Sequence, residues 1–145
     1  QQIGDIRFVF ESALDKGSYL NSSEIVNTRY TSRVDNLPVS NTGAKFVVVT
    51  IGAQNKGTEN TKDGIWDIGN IVDSEGRNFV PVEGSSVKPW LPEEDKCGEL
   101  LKPAFDPTAC VKIYEVSKQS TGLKIGVFVG TGDNAKSALI DLIVK

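Results

Sequence analysis

From residue 4, the stretch GDIRFVFES sets Ile6, Phe8 and Phe10 on one face and Arg7, Val9 and Glu11 on the other. A period of two predicts a half-buried strand. KFVVVTIGAQ, from residue 45, is rich in β-branched residues and apolar on both faces, which predicts a central strand covered on both sides. GIWDIGNIVD and RNFVPV flank the turn residues Asp73, Ser74 and Gly76 and read as a hairpin. ACVKIYEVS predicts a strand with Val111, Ile113 and Glu115 on one side and Tyr114 and Val116 on the other. In GLKIGVFVG, Leu123, Ile125, Val127 and Val129 share a face, and in the tail Ala138, Ile140, Leu142 and Val144 alternate with Leu139, Asp141 and Ile143.

Helical signal is weak. EIVNTRYTSRV, residues 24–34, carries valine, threonine and serine and predicts a strand. The tail lacks a helix cap, and its Ile/Val content also favours a strand. Seven to nine short strands separated by Gly, Asn and Asp turns predict an all-β, antiparallel β-sandwich, with residues 1–145 forming one domain. Residues 83–109 differ. They hold Pro89, Pro92, Pro103 and Pro107, with Trp90, Phe105 and the acidic run Glu93, Glu94 and Asp95. Proline cannot donate to a ladder, so the stretch predicts a long loop, and long ordered loops in compact domains are often functional.

Composition narrows the chemistry. The net charge is −3, with acids and bases interspersed, which disfavours nucleic-acid binding because no basic face is set apart. The longest apolar run, FVVVTI, is too short to cross a bilayer as a helix. The chain has no histidine, which removes the commonest general base and every Ser-His or Cys-His relay. It has no methionine either, so a processed or trimmed product is expected.

Cys97 and Cys110 are the two cysteines. A structural zinc site asks for four ligands in close pairs, and a thioredoxin-type pair asks for C-x-x-C. Neither pattern is present. Two unrelated thiols or one disulfide remain, and the disulfide is the expectation. The pair brackets a proline-rich segment that cannot hold itself by ladder bonds, and closing such a loop removes about 3 kcal/mol of unfolded-state entropy. Disulfides persist outside the reducing cytosol, so an extracellular or cell-surface location follows.

FVVVTIGAQNKG, then IVDSEGRNF, then LKPAFDPTACVKIYEVSK and a final GLKIGV together resemble the immunoglobulin-like (telokin-like) domain of unknown function found in bacterial lipoproteins, a family related to the secreted immunoprotective antigen of mycobacteria. The resemblance rests on Asn55, Lys56 and Gly57, on Asp73, Gly76 and Phe79, and on Leu101, Pro103, Val111, Tyr114 and Val116. It spans residues 40–130. In place of the family's Pro-Gly turn before the Val/Tyr strand stands KPAFDPTAC. The resemblance implies an immunoglobulin-like antiparallel β-sandwich and a non-catalytic envelope module without cofactor, tethered through a lipidated residue upstream of Gln1. A monomer is expected.

Other groupings carry less. Asp63, Asp67, Asp73 and Glu75 are oxygen-rich, as a calcium site would be, but the EF-hand spacing is missing and they read as solvated turn carboxylates. GTGDN at 130–134 lacks the Lys-Ser/Thr of a phosphate-binding loop and reads as a turn. Asn21 opens a formal glycosylation sequon. The expected binding site is the long loop, at Trp90, Glu93, Glu94 and Phe105, facing a protein or an envelope polymer. In one reading Trp90 and Phe105 form an exposed recognition pair; in the other Trp90 is a lid over an open end of the sandwich. A stalk without ligand and an atypical carboxylate-based hydrolase are the rival functions.

Overall fold

The computed structural model describes residues 1–30 and 34–145. Among them the strands are β1 (Gln2–Ile3), β2 (Ile6–Gly17), β3 (Tyr19–Leu20), β4 (Leu37–Pro38), β5 (Ala44–Asn55), β6 (Trp66–Val72), β7 (Asn78–Phe79), β8 (Thr108–Ser117), β9 (Lys124–Val129) and β10 (Lys136–Asp141). One sheet has the order β1-β2-β5-β8 and the other β10-β9-β6-β7, with β3 and β4 as a separate pair. All ladders are antiparallel. The expected all-β sandwich is therefore what the chain forms. Taken in chain order, the six long strands split first-second-fourth against sixth-fifth-third.

β5 is central, as its two apolar faces predict. Val47, Val49 and Ile51 join the core between the sheets, with Phe8, Trp66, Ile68, Tyr114, Ile125 and Val127. Phe46 and Val48 point the other way, into a second apolar cluster with Leu20, Val87, Trp90 and Ile113. Two faces of one sheet are thus dry, and segments flanking β3 and the short 3-10 turn Lys88–Trp90 cover the outer one.

β2 loses register between Phe10 and Ser12, so its inward set passes from Ile6 and Phe8 to Ala13. A β-bulge of this kind bends the strand. Beyond the bend, the end of the chain runs parallel to β2: Lys145 N–H donates to Ala13 O at 3.0 Å and Asp15 N–H to Lys145 O at 2.9 Å. The tail reads as a strand as expected, with Ile140, Leu142 and Val144 half-buried against the core.

The residues that carry the family resemblance hold turns and core contacts. Asn55 is buried, accepts from Gly57 N–H at 2.8 Å and donates to Glu59 O at 2.6 Å and Leu101 O at 2.9 Å. A Cβ on Gly57 would meet Asp5 Cγ at 2.8 Å, so any other residue there would have to push the Asp5 side chain aside. In the β6–β7 hairpin, Asp73 accepts from the N–H groups of Glu75 and Arg77, from Arg77 Nε at 2.6 Å and from Ser120 Oγ at 2.6 Å. The Ser120 hydroxyl, then the Arg77 guanidinium and the two N–H groups, hold its carboxyl well below the usual range although burial opposes them. A depressed folded value means that this stabilisation is present at neutral pH and drains away as pH falls below the ordinary value of 3.8. Asp73→Asn is expected to unfold at lower temperature at pH 7 and to lose less than the parent between about pH 5 and 2, measured as thermal midpoints across that range.

One expected strand is not formed among the described residues. Residues 24–30 do not extend as a ladder, and 31–33 of that stretch lie outside the described residues. Asn21 caps a short 3-10 turn at Ser22–Glu24, and the amides of Val26 and Asn27 both donate to Pro89 O at 3.1 Å. The backbone bonds that a strand would have given to a neighbour go to the long loop instead.

Candidate functional site

After β7 the chain crosses to the first sheet. Pro81 bridges Tyr114, and Val82 N–H donates to Ile113 O at 2.8 Å. Glu83 and Gly84 then turn away, with Gly84 at φ 106°, a conformation that costs glycine little. From there to β8 runs the loop picked out by its prolines. Its first half is fixed by Trp90, which is 6% exposed and donates Nε1–H to Asn21 O at 2.7 Å. Its second half is tied by the expected disulfide, Cys97–Cys110, with Cα atoms 4.6 Å apart. Gly98, at φ 82°, passes so close to β6 that a Cβ would lie 3.1 Å from Trp66 O.

Between these two anchors the loop stands off from β8 and leaves a groove of about 490 Å³. Val87, Leu91, Val111 and Ile113 give it an apolar floor. Asn27, Arg29 and Tyr30 form the opposite wall. Arg29 Nε pairs with Glu93 Oε1 at 2.8 Å, Asn27 Oδ1 accepts from Arg29 N–H at 3.1 Å, and Asn27 Nδ2 reaches Lys88 O at 3.4 Å. At the far end Lys112 Nζ pairs with Asp67 at 3.1 Å and donates to Ile68 O at 3.0 Å. Beside it the Tyr114 hydroxyl donates to Gly69 O at 2.5 Å. Burial pushes that hydroxyl well above its ordinary value, and the Asp67 carboxylate adds to the rise. These two side chains hold carbonyls of β6 at its register shift between Ile68 and Ile71, bracing the open side of the sandwich.

Of the sequence-expected site residues, Glu93 and Glu94 line the groove. Trp90 does not face solvent: it belongs to the second apolar cluster, so its reading as an exposed recognition aromatic is corrected to that of a cover, placed over the outer face of the first sheet and not over an open end of the sandwich. The outer faces of Phe46 and Ile113 need cover, and Trp90 supplies it. Phe105 is 62% exposed, is not among the groove residues, and has Lys102 Nζ 5.8 Å from its ring centroid. The expected Trp90–Phe105 pair is therefore not brought together. Missing from the sequence reading were Asn27, Arg29 and Tyr30. Their signal was Asn-Thr-Arg-Tyr, polar and aromatic together inside a stretch read as a strand.

Asp67, Cys97 and Cys110 place potential ligand atoms within 4.8 Å of one another. The two sulfurs are bonded to each other, so neither is the thiolate a metal needs, and one carboxylate does not make a site.

No protein-family model matches the chain, and no curated protein matches it. Among solved structures, the chain is similar to a Bacillus subtilis protein named "putative lipoprotein (ycdA)", at 10% sequence identity and a TM-score of 0.48. The match covers 94% of this chain and 36% of that one, so the chain spans about a third of that protein's length.

Proposed function

We propose that this is an exported, non-catalytic module of the cell envelope that holds a partner in the groove between the long loop and β8. The groove itself carries the reading: an apolar floor, a charged rim and walls pinned at both ends, one by Trp90 and one by a disulfide. Rigid walls reduce the ordering cost of binding. The disulfide supports residence in an oxidising compartment. The split of the long strands, first-second-fourth against sixth-fifth-third, matches the A-B-E and G-F-C division of immunoglobulin-type sandwiches; with the turn-forming residues Asn55, Gly57, Asp73 and Gly76 it supports membership of the telokin-like lipoprotein domains, and with it a lipid tether upstream of the chain.

The reading is tested by placing a photo-crosslinking side chain at Glu94, in the groove, or at Leu139, on the outer face of β10, and illuminating each protein in envelope extract. Adducts formed from position 94 and prevented by filling the groove with Leu91→Trp are the expected result. Equal yields from both positions, or none from either, would leave a spacer domain without a ligand.

A further inference from the structure

We propose, resting on that groove reading, that the occupant is an extended peptide that adds to the sheet as a strand beside β8. Val82 N–H donates to the carbonyl of Ile113, so Ile113 turns its peptide groups away from β5. Peptide groups of alternate residues in an antiparallel strand point to the same edge. Val111 and Ala109 therefore present N–H and C=O to the side on which Val82 sits. Among the described residues these groups have no partner, because the chain leaves that edge at Glu83 and Gly84. Both residues line the groove.

A row of unpaired backbone donors and acceptors is complementary to another backbone. Most exposed edges are blunted; this one opens into the groove, which Ala109 and Val111 line. An incoming segment continues the line of Val82, antiparallel to β8. Its alternate side chains meet Val87, Leu91 and Val111 on one side and the Asp67–Lys112 pair on the other. Aliphatic residues at every second position fit the first side. The groove's charged residues are near balance, five acids against four bases, which suits a mixed peptide sequence better than a uniformly anionic polymer.

The test is selection of linear random peptides displayed on phage against the whole domain, followed by synthesis of the enriched sequences. Peptides with aliphatic residues at alternate positions are expected. N-methylation of every second backbone amide should abolish their binding, and methylation of the amides between should not. In hydrogen exchange on the parent protein, the Ala109 and Val111 amides should exchange fast when free and become protected by peptide, while Cys110 and Lys112 stay protected throughout. Val111→Pro removes an outward N–H without breaking a bond to β5 and should weaken binding at least tenfold. Peptides that bind but show no alternation under N-methylation would overturn strand addition and leave the groove reading standing. Failure to enrich any peptide would overturn the peptide as occupant, and the crosslinking result would then judge the groove on its own. A concentration-dependent dimer that protects the same two amides would assign the edge to a second copy and overturn the proposal equally.

Discussion

Trp90→Ala is expected to destabilise the protein by about 3–5 kcal/mol, a fall in thermal midpoint on the order of 10–20 °C for a chain of this length. The indole closes the outer face of the first sheet over Leu20, Phe46 and Ile113, and alanine would leave a cavity there. It would also leave Asn21 O without its donor. Trp90→Phe keeps most of the packing and loses that bond, so a smaller drop of about 1–2 kcal/mol is expected. Phe105→Ala, at a site mostly in solvent, should move the midpoint little. Thermal unfolding of the three variants by circular dichroism checks the order. An unchanged midpoint for Trp90→Ala would return Trp90 to the recognition surface.

Removing the disulfide should come next in size. With the cysteines 13 positions apart in the chain, the chain model gives a loss of about 3 kcal/mol. Paired Cys97→Ala and Cys110→Ala is the variant to use, because Cys110 is fully buried and serine would bury a hydroxyl there. The loss should be felt locally first. Residues 91–107 should become sites of proteolysis while Trp90 still pins the first half of the loop, and ligand capture in the groove should fall with the wall. Limited digestion before and after reduction, mapped by mass, reads this directly. A digestion pattern indifferent to the disulfide would show that hydrogen bonds such as Gly64 N–H to Gly98 O, at 2.7 Å, hold the wall unaided.

What could be read in advance follows from where the forces act. β5 was legible because both its faces are dry, and a strand dry on both faces has to be apolar throughout. The β6–β7 hairpin was legible because Asp73 and Gly76 satisfy the turn from within it. The disulfide was legible because a chain without histidine or C-x-x-C leaves two cysteines few roles, and this pair brackets a proline-rich segment that cannot hold itself by ladder bonds. Residues 24–30 were misread because β propensity reports packing on a pleated surface, and here the available partner was a proline carbonyl some sixty residues away. Trp90 shows the same limit. Its setting is made by side chains from β3, β5 and β8, and no local pattern around Lys-Pro-Trp-Leu shows that those strands need a cover. The groove is further removed still, since its edge exists only because Val82 is the last residue to pair.

The parallel seam between β2 and the last residues gives the sandwich a mechanical character. Tension drawing the two ends apart pulls Ile6 one way along the strand axis and Lys145 the other. The bonds of Ala13 and Asp15 to Lys145 are then loaded in shear and must yield together, whereas an antiparallel closing pair pulled from one end would unzip bond by bond. A domain tethered on one side and gripped on the other would resist at that seam first.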